Sequence, residues 1–198
     1  DLLGSVYKVS TVDWSFDQWG TAGSAPGEFN APSDVVAGPD GSVYVADTDN
    51  NRIQKFSSDG TFISSWDNTG LLGPRGVAVD DGIVLAADTD NGRIQVFDAN
   101  GNLTLIAGQG QFTEPAGIAF GPDSNVYIAD VSEGRVRKFS RDGTFLDETG
   151  SGFLFFPRGI AVDQGGNVYV ADAGNNRIAV FTPDILVLDR GRGQRDVN

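Results

Sequence analysis

Short apolar runs of four to six residues recur along the chain, and polar turn residues separate them. In one stretch the runs cover 76–79, 83–87, 93–97 and 102–107. They are rich in Val, Ile and Phe, and pairs such as Asp-Gly and Asn-Gly lie between neighbouring runs, as they do in β-hairpins. No segment has the spacing of an amphipathic helix. The pattern therefore predicts an all-β protein built from short antiparallel strands.

The pattern also repeats at a fixed interval. Four kinds of anchor residue return every 41 or 42 residues: Asp47, Asp88, Asp130 and Asp172; Arg52, Arg93, Arg135 and Arg177; Phe56, Phe97, Phe139 and Phe181; Pro32, Pro74, Pro115 and Pro157. Four strands in each unit of about 42 residues are typical of a β-propeller blade. We predict four-stranded antiparallel blades at about 30–67, 73–108, 114–150 and 156–188, and a tail or linker at 189–198. Residues 6–20 align without a gap onto 53–67, so 1–20 are predicted to be an N-terminal half blade.

One phrase of the repeat resembles a known family. The segments PRGIAVD at 157–163, GNVYVAD at 166–172 and NNRI at 175–178 return at 74–94 and 32–56, and more loosely at 115–139. They resemble the NHL repeat, and the resemblance extends over about residues 6–188. It implies a propeller that usually closes with six blades.

Four and a half blades are fewer than six, so we expect them to form part of a larger propeller. The lack of Met favours a processed protein or an excerpt. An incomplete ring would expose two apolar blade faces. The expected residues are Val6, Val9, Trp14 and Phe16 on one face, and Ile178, Val180 and Phe181 on the other. Missing residues of the same polypeptide, a second copy or a larger assembly would cover them. The alternative is a contracted five-position ring.

Composition removes several classes of function. The chain has no His and no Cys, which excludes His-based acid–base chemistry, thiolate nucleophiles and the usual zinc ligands. Its net charge is -13, which disfavours binding to nucleic acid or to anionic membranes, although some NHL domains bind RNA. We expect no membrane insertion and no transition metal. This make-up suits an extracellular, cell-surface or periplasmic protein.

The repeated charged residues have a structural interpretation. Each Asp and the Arg five residues later flank a turn, so we predict ion pairs 47/52, 88/93, 130/135 and 172/177, in preference to a ring of binding charges. The turns at Asp49 and Asp90 also resemble calcium loops weakly, but they lack the distal Glu. We therefore predict no resident cofactor, with calcium at these two turns as the alternative.

Residues that the repeat does not require are better candidates for binding. The residue after the recurring Pro varies, and two blades have Arg75 and Arg158 there, near the expected axis. They favour an anionic ligand or an acidic segment of a partner, unless neighbouring acids neutralise them. Phe153, Phe155 and Phe156 are also not repeated. They are either an exposed anchor for a partner or a cover for an adjacent blade.

These observations favour a non-catalytic binding or scaffold module that uses the loop face of the propeller for protein–protein interaction. The alternative is a propeller enzyme, a lyase or lactonase-like hydrolase with a calcium site made of carboxylates and Asn, active only as the complete ring. The resemblance also extends to lyases related to NHL proteins, and these lyases depend on His, which this chain lacks.

Overall fold

A computed structural model of the protein describes residues 5–9, 16–67 and 69–183. Seventeen strands lie in these ranges: β1 Val6–Val9, β2 Phe16–Trp19, β3 Pro32–Ala37, β4 Val43–Asp47, β5 Arg52–Phe56, β6 Phe62–Trp66, β7 Gly76–Asp80, β8 Ile83–Asp88, β9 Arg93–Asp98, β10 Leu103–Ala107, β11 Pro115–Phe120, β12 Val126–Asp130, β13 Arg135–Phe139, β14 Phe145–Thr149, β15 Pro157–Val162, β16 Val168–Asp172 and β17 Arg177–Phe181. The helical segments of these ranges are single 3₁₀ turns at Thr48–Asn50, Thr89–Asn91 and Ala173–Asn175. None of them is long and apolar enough to cross a membrane.

The strands form antiparallel blades in chain order, which confirms the predicted fold. Three sheets have four strands each, β3–β6, β7–β10 and β11–β14, and β15–β17 form a three-stranded sheet. The fourth strand predicted for the last blade lies outside the described residues. β1 and β2 form a separate two-stranded sheet, which is the predicted half blade.

The first strand of each blade lies at the central axis. β7 lies between β3 and β11, and β11 lies between β7 and β15. Side chains of these four strands line one common cavity. Middle strands such as β4 are buried on both faces, because a neighbouring blade packs on each side, and they read as continuous apolar runs for this reason.

Aromatic and branched side chains hold the blades together. Between the first two full blades, Tyr44, Ile53 and Trp66 pack against Val77 and Phe97. The rings of Trp66 and Phe97 lie 5.2 Å apart. Burying a side chain of this size contributes about 1.5–3 kcal/mol, so each interface is a substantial apolar core.

One apolar side chain plugs each junction between blades. This residue lies three positions before the recurring Pro, and it is buried in every blade: Phe29, Leu71, Phe112 and Leu154.

The last blade presents an apolar face that no described residue covers. Tyr169 is 38% exposed, whereas the equivalent Tyr44 and Tyr127 are 1% and 3% exposed. Ile178 is 63% exposed, and the equivalent Ile53 is fully buried. This face of the last blade therefore has no neighbouring blade packed on it within the described residues.

Two residues predicted on the open faces lie elsewhere. Val6 is buried against Phe29 and Phe56 of the following blade, and Phe181 is buried against the preceding blade. Both point into existing interfaces, because strand residues alternate between faces. Val9 and Val180 are exposed as predicted. Trp14 and the side chain of Phe16 lie outside what the structure describes.

Glycine allows the inner strands to approach closely. A Cβ atom on Gly76 would lie 2.1 Å from the carbonyl oxygen of Ala116 in the next blade, and one on Gly117 would lie 2.4 Å from that of Arg158. A Cβ on the equivalent Gly159 would meet only Ala171, at 3.6 Å. The last blade thus has the same glycine without the close neighbour that requires it elsewhere.

Candidate functional site

A buried Asp fastens each blade to the connection that enters it. In the first full blade Asp47 Oδ1 accepts a hydrogen bond from the Asn30 N–H at 2.7 Å. Its Oδ2 accepts one from Arg52 Nε at 2.7 Å and one from Gln54 Nε2 at 2.9 Å. Arg52 also donates to three backbone carbonyls, of Ser24, Ala25 and Glu28. This network joins the β4–β5 turn to the preceding loop.

The other three pairs repeat the contact with different quality. The nitrogen–oxygen distances are 2.6 Å for Arg93–Asp88, 3.8 Å for Arg135–Asp130 and 2.7 Å for Arg177–Asp172. All four predicted pairs are therefore within 4 Å. The third is the longest, and its Arg135 also contacts Glu148 at 3.3 Å. Because every blade contains the pair, the pair does not distinguish one blade as a binding site.

The two weak calcium candidates lie on exposed 3₁₀ turns of different blades. Their backbone N–H groups donate to the carbonyls of Asn30 and Leu72, so both turns are held by main-chain bonds. Asn51 and Gly92 end the turns in the left-handed region, at φ 56° and 60°. In the described ranges no three Asp or Glu side chains are grouped in a way that could hold a metal ion, and this applies to Asp49 and Asp90.

The variable residues after the recurring Pro meet at the mouth of the central channel. Ser33, Arg75, Ala116 and Arg158 line one cavity of about 270 Å³. The strands β3, β11 and β15 begin at the Pro, but β7 begins at Gly76, two residues after Pro74. The structure thus brings the two predicted arginines to one cavity, although they lie 83 positions apart in the sequence.

The two arginines have different surroundings. Arg75 Nη1 lies 2.5 Å from Glu114 Oε1, and Ser132 donates a hydrogen bond to the other oxygen of Glu114 at 2.6 Å. The Ser132 hydroxyl, together with Arg75 and the charge of Arg158, lowers the pKa of Glu114, although partial burial opposes the shift. Arg158 is exposed and makes no ion pair with any residue in the described part of the chain. Arg158 is therefore the available cation at this mouth.

An acid that the sequence analysis missed lies beside them. Asp34 lines the same cavity and occupies the position of Gly76, Gly117 and Gly159 in the other blades. Burial raises the pKa of its carboxyl group, and hydrogen bonds from the N–H groups of Val77 and Val35 oppose the shift. The available signal was this replacement of Gly by Asp in one blade.

The three phenylalanines lie on the same loop face as the mouth but do not line its cavity. They are about half exposed. Phe153 packs in its own blade: its ring centroid lies 4.0 Å below the Arg177 guanidinium and 6.3 Å from the ring of Phe181. Phe155 and Phe156 lie against each other, with ring centroids 4.3 Å apart. Phe153 therefore contacts Arg177 and Phe181 of its own blade, whereas Phe155 and Phe156 form a stacked pair, and all three rings stay about half exposed.

The local backbone accommodates the stacked pair. Phe156 has a φ of 50°, in the left-handed region that bulky residues rarely adopt. The equivalent residues of the first and second full blades, Ala31 and Gly73, have the same conformation, with φ values of 50° and 55°. A Cβ atom on Gly174 would lie 2.2 Å from the Phe155 ring, so the glycine makes room for that ring. The equivalent positions in the first two blades are occupied by Asp49 and Asp90.

A family model for the NHL repeat matches residues 29–56, 71–97 and 156–181. These segments fall in the first, second and last full blades, at the phrases that carried the resemblance. The chain contains NHL repeats. The third full blade lies outside the matched segments, and it is also the blade with the loosest Asp–Arg contact. Glu114 and Ala116 of the mouth belong to this divergent repeat.

Solved structures similar to these NHL repeats are propellers with different roles. A nidogen/laminin complex is 20% identical, covering 91% of this chain and 68% of that one, with a TM-score of 0.77. A catalytically inactive virginiamycin B lyase from Staphylococcus aureus, solved with quinupristin, is 18% identical with a TM-score of 0.75. That match covers 92% of this chain and 61% of the lyase. The sequence matches no curated protein significantly.

These similarities establish the fold of the NHL repeats and leave the activity open. The chain spans about 60% of the length of the lyase structures. The WD40 propeller domain of Doa1 is also similar, at 16% identity and a TM-score of 0.68. Since a propeller hosts unrelated functions, the function has to be argued from the loop face of this chain.

Proposed function

We propose that this chain is a non-catalytic binding module that recognises a protein partner through the loop face of its blades. The observation that carries the proposal is the position of Phe155 and Phe156. They lie on the loop face, and no other blade has two aromatic residues at these positions, where the equivalent pairs are Asn30-Ala31, Leu72-Gly73 and Thr113-Glu114. Exposed aromatic pairs are frequent anchors of protein interfaces, because they bury a large area with few rotatable bonds.

The left-handed backbone at Phe156 is a feature of the repeat, because Ala31 and Gly73 share it, and the last blade differs in placing a bulky side chain there. A bulky residue in the left-handed region costs about 1–3 kcal/mol, and such strain is concentrated at functional sites. Gly73 shows that glycine fits this position without that cost. A side chain that only covered its own blade would give little reason for the strain, because Leu154 already plugs the junction.

Arg158 provides a charged group close to the aromatic pair. It lies two residues after Phe156 and lines the mouth of the channel. An apolar anchor beside a cation fits a peptide that carries both an apolar and an acidic side chain. The nidogen/laminin complex is an example of a similar propeller solved with a protein partner.

A selection of peptides tests this proposal. A displayed library of random linear peptides is selected on the wild-type chain, and each selected peptide is then measured against two variants. Phe155→Ser/Phe156→Gly removes the aromatic pair, and Ile63→Ser is the matched control, because Ile63 is 51% exposed on the outer strand β6.

We expect most selected peptides to lose binding to the double variant and to keep it with the control. Peptides that bind both variants as tightly as the wild-type chain would contradict the proposal. Far-UV circular dichroism of each variant checks that the blades are retained.

A further inference from the structure

The inner strands direct backbone N–H groups towards the central channel. At the β11–β12 turn the Gly121 N–H donates to the Asn125 carbonyl. This bond fixes which of the facing residue pairs of β11 and β12 are hydrogen-bonded to each other, since such pairs alternate along an antiparallel ladder. Ile118, which is paired with Ile128, then falls at a position without ladder hydrogen bonds, so its N–H points away from β12. The corresponding turn bond of the β15–β16 hairpin gives Ile160 the same orientation.

The first full blade shows what such an N–H group can bind. Asp34 Oδ2 accepts a hydrogen bond from the Val77 N–H of the next inner strand at 2.9 Å. Its Oδ1 accepts one from the Val35 N–H, also at 2.9 Å. Val35 and Val77 are the equivalents of Ile118 and Ile160. The molecule therefore contains one carboxylate that is bound by inner-strand N–H groups at this level of the channel.

The other blades have glycine where the first has Asp34. Gly76 and Gly117 supply no carboxylate, and no described residue outside their own sheets accepts from the N–H groups of Ile118 and Ile160. Ile118 and Ile160 line the same cavity as Arg158. Backbone donors at an open cavity, beside a cation, favour a carboxylate ligand.

The charges around the cavity limit the ligand to one negative group. Arg75 is paired with Glu114, so Arg158 is the cation without an ion-pair partner in the described chain. Asp34 lies in the same cavity and disfavours a second negative charge nearby. A single carboxylate therefore fits this mouth better than a phosphate dianion.

We propose that the mouth of the channel binds one carboxylate group of a partner peptide, held by Arg158 and by the N–H groups of Ile118 and Ile160. This inference rests on the proposed function and names the polar half of the peptide that the loop face recognises. The aromatic pair then contacts the apolar half.

Nuclear magnetic resonance of the ¹⁵N-labelled chain tests the site directly. The probe is the peptide acetyl-Gly-Asp-Gly-amide, and the matched control is the same peptide with Asn in place of Asp. We expect the Asp peptide to shift the amide protons of Ile118 and Ile160 downfield in a saturable manner. The Asn peptide should leave them in place, because it carries no charge for Arg158.

Further probes distinguish the source and charge of the ligand. Acetyl-Gly-Gly-Gly with a free carboxylate, compared with its amide, tests whether a chain terminus can replace the side chain. Inorganic phosphate tests the limit to one charge. Phosphate binding more tightly than the Asp peptide would overturn that limit.

Three variants separate the site from the fold. Arg158→Ala should weaken binding of the Asp peptide at least tenfold, since the charge-assisted contact is lost. Arg141→Ala removes an arginine from a distant pair with Asp80 and should leave binding unchanged. Asp34→Gly frees the Val77 N–H and removes a repelling charge, so binding should become severalfold tighter. Equal binding to wild type and Arg158→Ala, or equal shifts with the Asn peptide, would overturn the site.

The outcomes keep the two proposals apart. If selected peptides need Phe155 and Phe156 but tolerate both Arg158→Ala and the loss of their own acids, the carboxylate site is wrong and the loop-face proposal stands. If no selected peptide depends on the aromatic pair, the loop-face proposal is wrong.

Discussion

Three blades provide a graded test of how burial determines the strength of one contact. Arg52, Arg93 and Arg177 each place Nε 2.6–2.7 Å from the carboxylate of a fully buried Asp. Their own side chains are 6%, 17% and 42% exposed. Replacement of each arginine by Ala therefore removes the same ion pair from three different environments.

The expected losses follow from what remains after each change. Arg52→Ala leaves the Asp47 carboxylate buried without a cation and removes the donor of three backbone carbonyls. Breaking a buried pair in this way costs about 3–5 kcal/mol. In Arg177→Ala the buried Asp172 carboxylate keeps its hydrogen bonds from the Phe155 N–H and from Asn175 Nδ2. The arginine that is removed is also the most exposed of the three, so the loss should be the smallest. Arg93→Ala should fall between them.

Urea unfolding followed by tryptophan fluorescence measures these losses, since the chain contains three Trp. Arg141→Ala is the control, because its pair with Asp80 is a partly exposed surface contact. Similar losses for Arg52→Ala and Arg177→Ala would refute the reasoning from burial. A loss below about 1 kcal/mol for Arg52→Ala would show that the pair does not hold the blade together.

Three further predictions concern single positions. Phe156→Gly should stabilise the chain by about 1 kcal/mol or more, because glycine adopts the left-handed backbone conformation of this position without strain. The same change should weaken peptide binding. An unchanged or lower urea midpoint would contradict the strain at Phe156. Gly76→Ala should lower the free energy of unfolding by about 1–3 kcal/mol, because the new methyl group would meet the backbone oxygen of Ala116. Gly159→Ala should be close to neutral, because its methyl group would meet only Ala171. Equal losses for the two variants would contradict the close approach of the strands at Gly76. Burial raises the pKa of Asp123, but the Lys138 ammonium and other hydrogen bonds outweigh it and lower the pKa to about 2. The stabilisation is therefore present above the ordinary pKa of Asp and lost as the pH falls through about 2. Lys138→Met should move the carboxyl titration in ¹³C NMR upward, and an unmoved titration would be inconsistent with this cause.

Most of the fold could be predicted from the repeat itself. A position that returns in every blade has the same environment in each, so the recurring Asp, Arg and Phe indicate the hairpins and the core from the sequence alone. The alternation along a strand did not settle which face Val6 and Phe181 occupy. That choice depends on which neighbouring blade is present, and Val6 packs on the next blade while Phe181 packs on the preceding one.

The candidate site was predicted only in part, for a related reason. Arg75 and Arg158 stood out because the position after the Pro varies, and the structure places both at one cavity. Asp34 did not stand out, because an acid in a chain of net charge -13 is common. The distinction between Phe153 and the other two phenylalanines depends on the contact with Arg177, which strand spacing alone does not reveal.

The most direct test of the binding proposal is a crystal structure of the chain with one selected peptide. The proposal predicts that the apolar side chain of the peptide packs on Phe155 and Phe156, and that its carboxylate faces Arg158 at the channel mouth. A peptide bound instead on the open face of the last blade, against Tyr169 and Ile178, would contradict it.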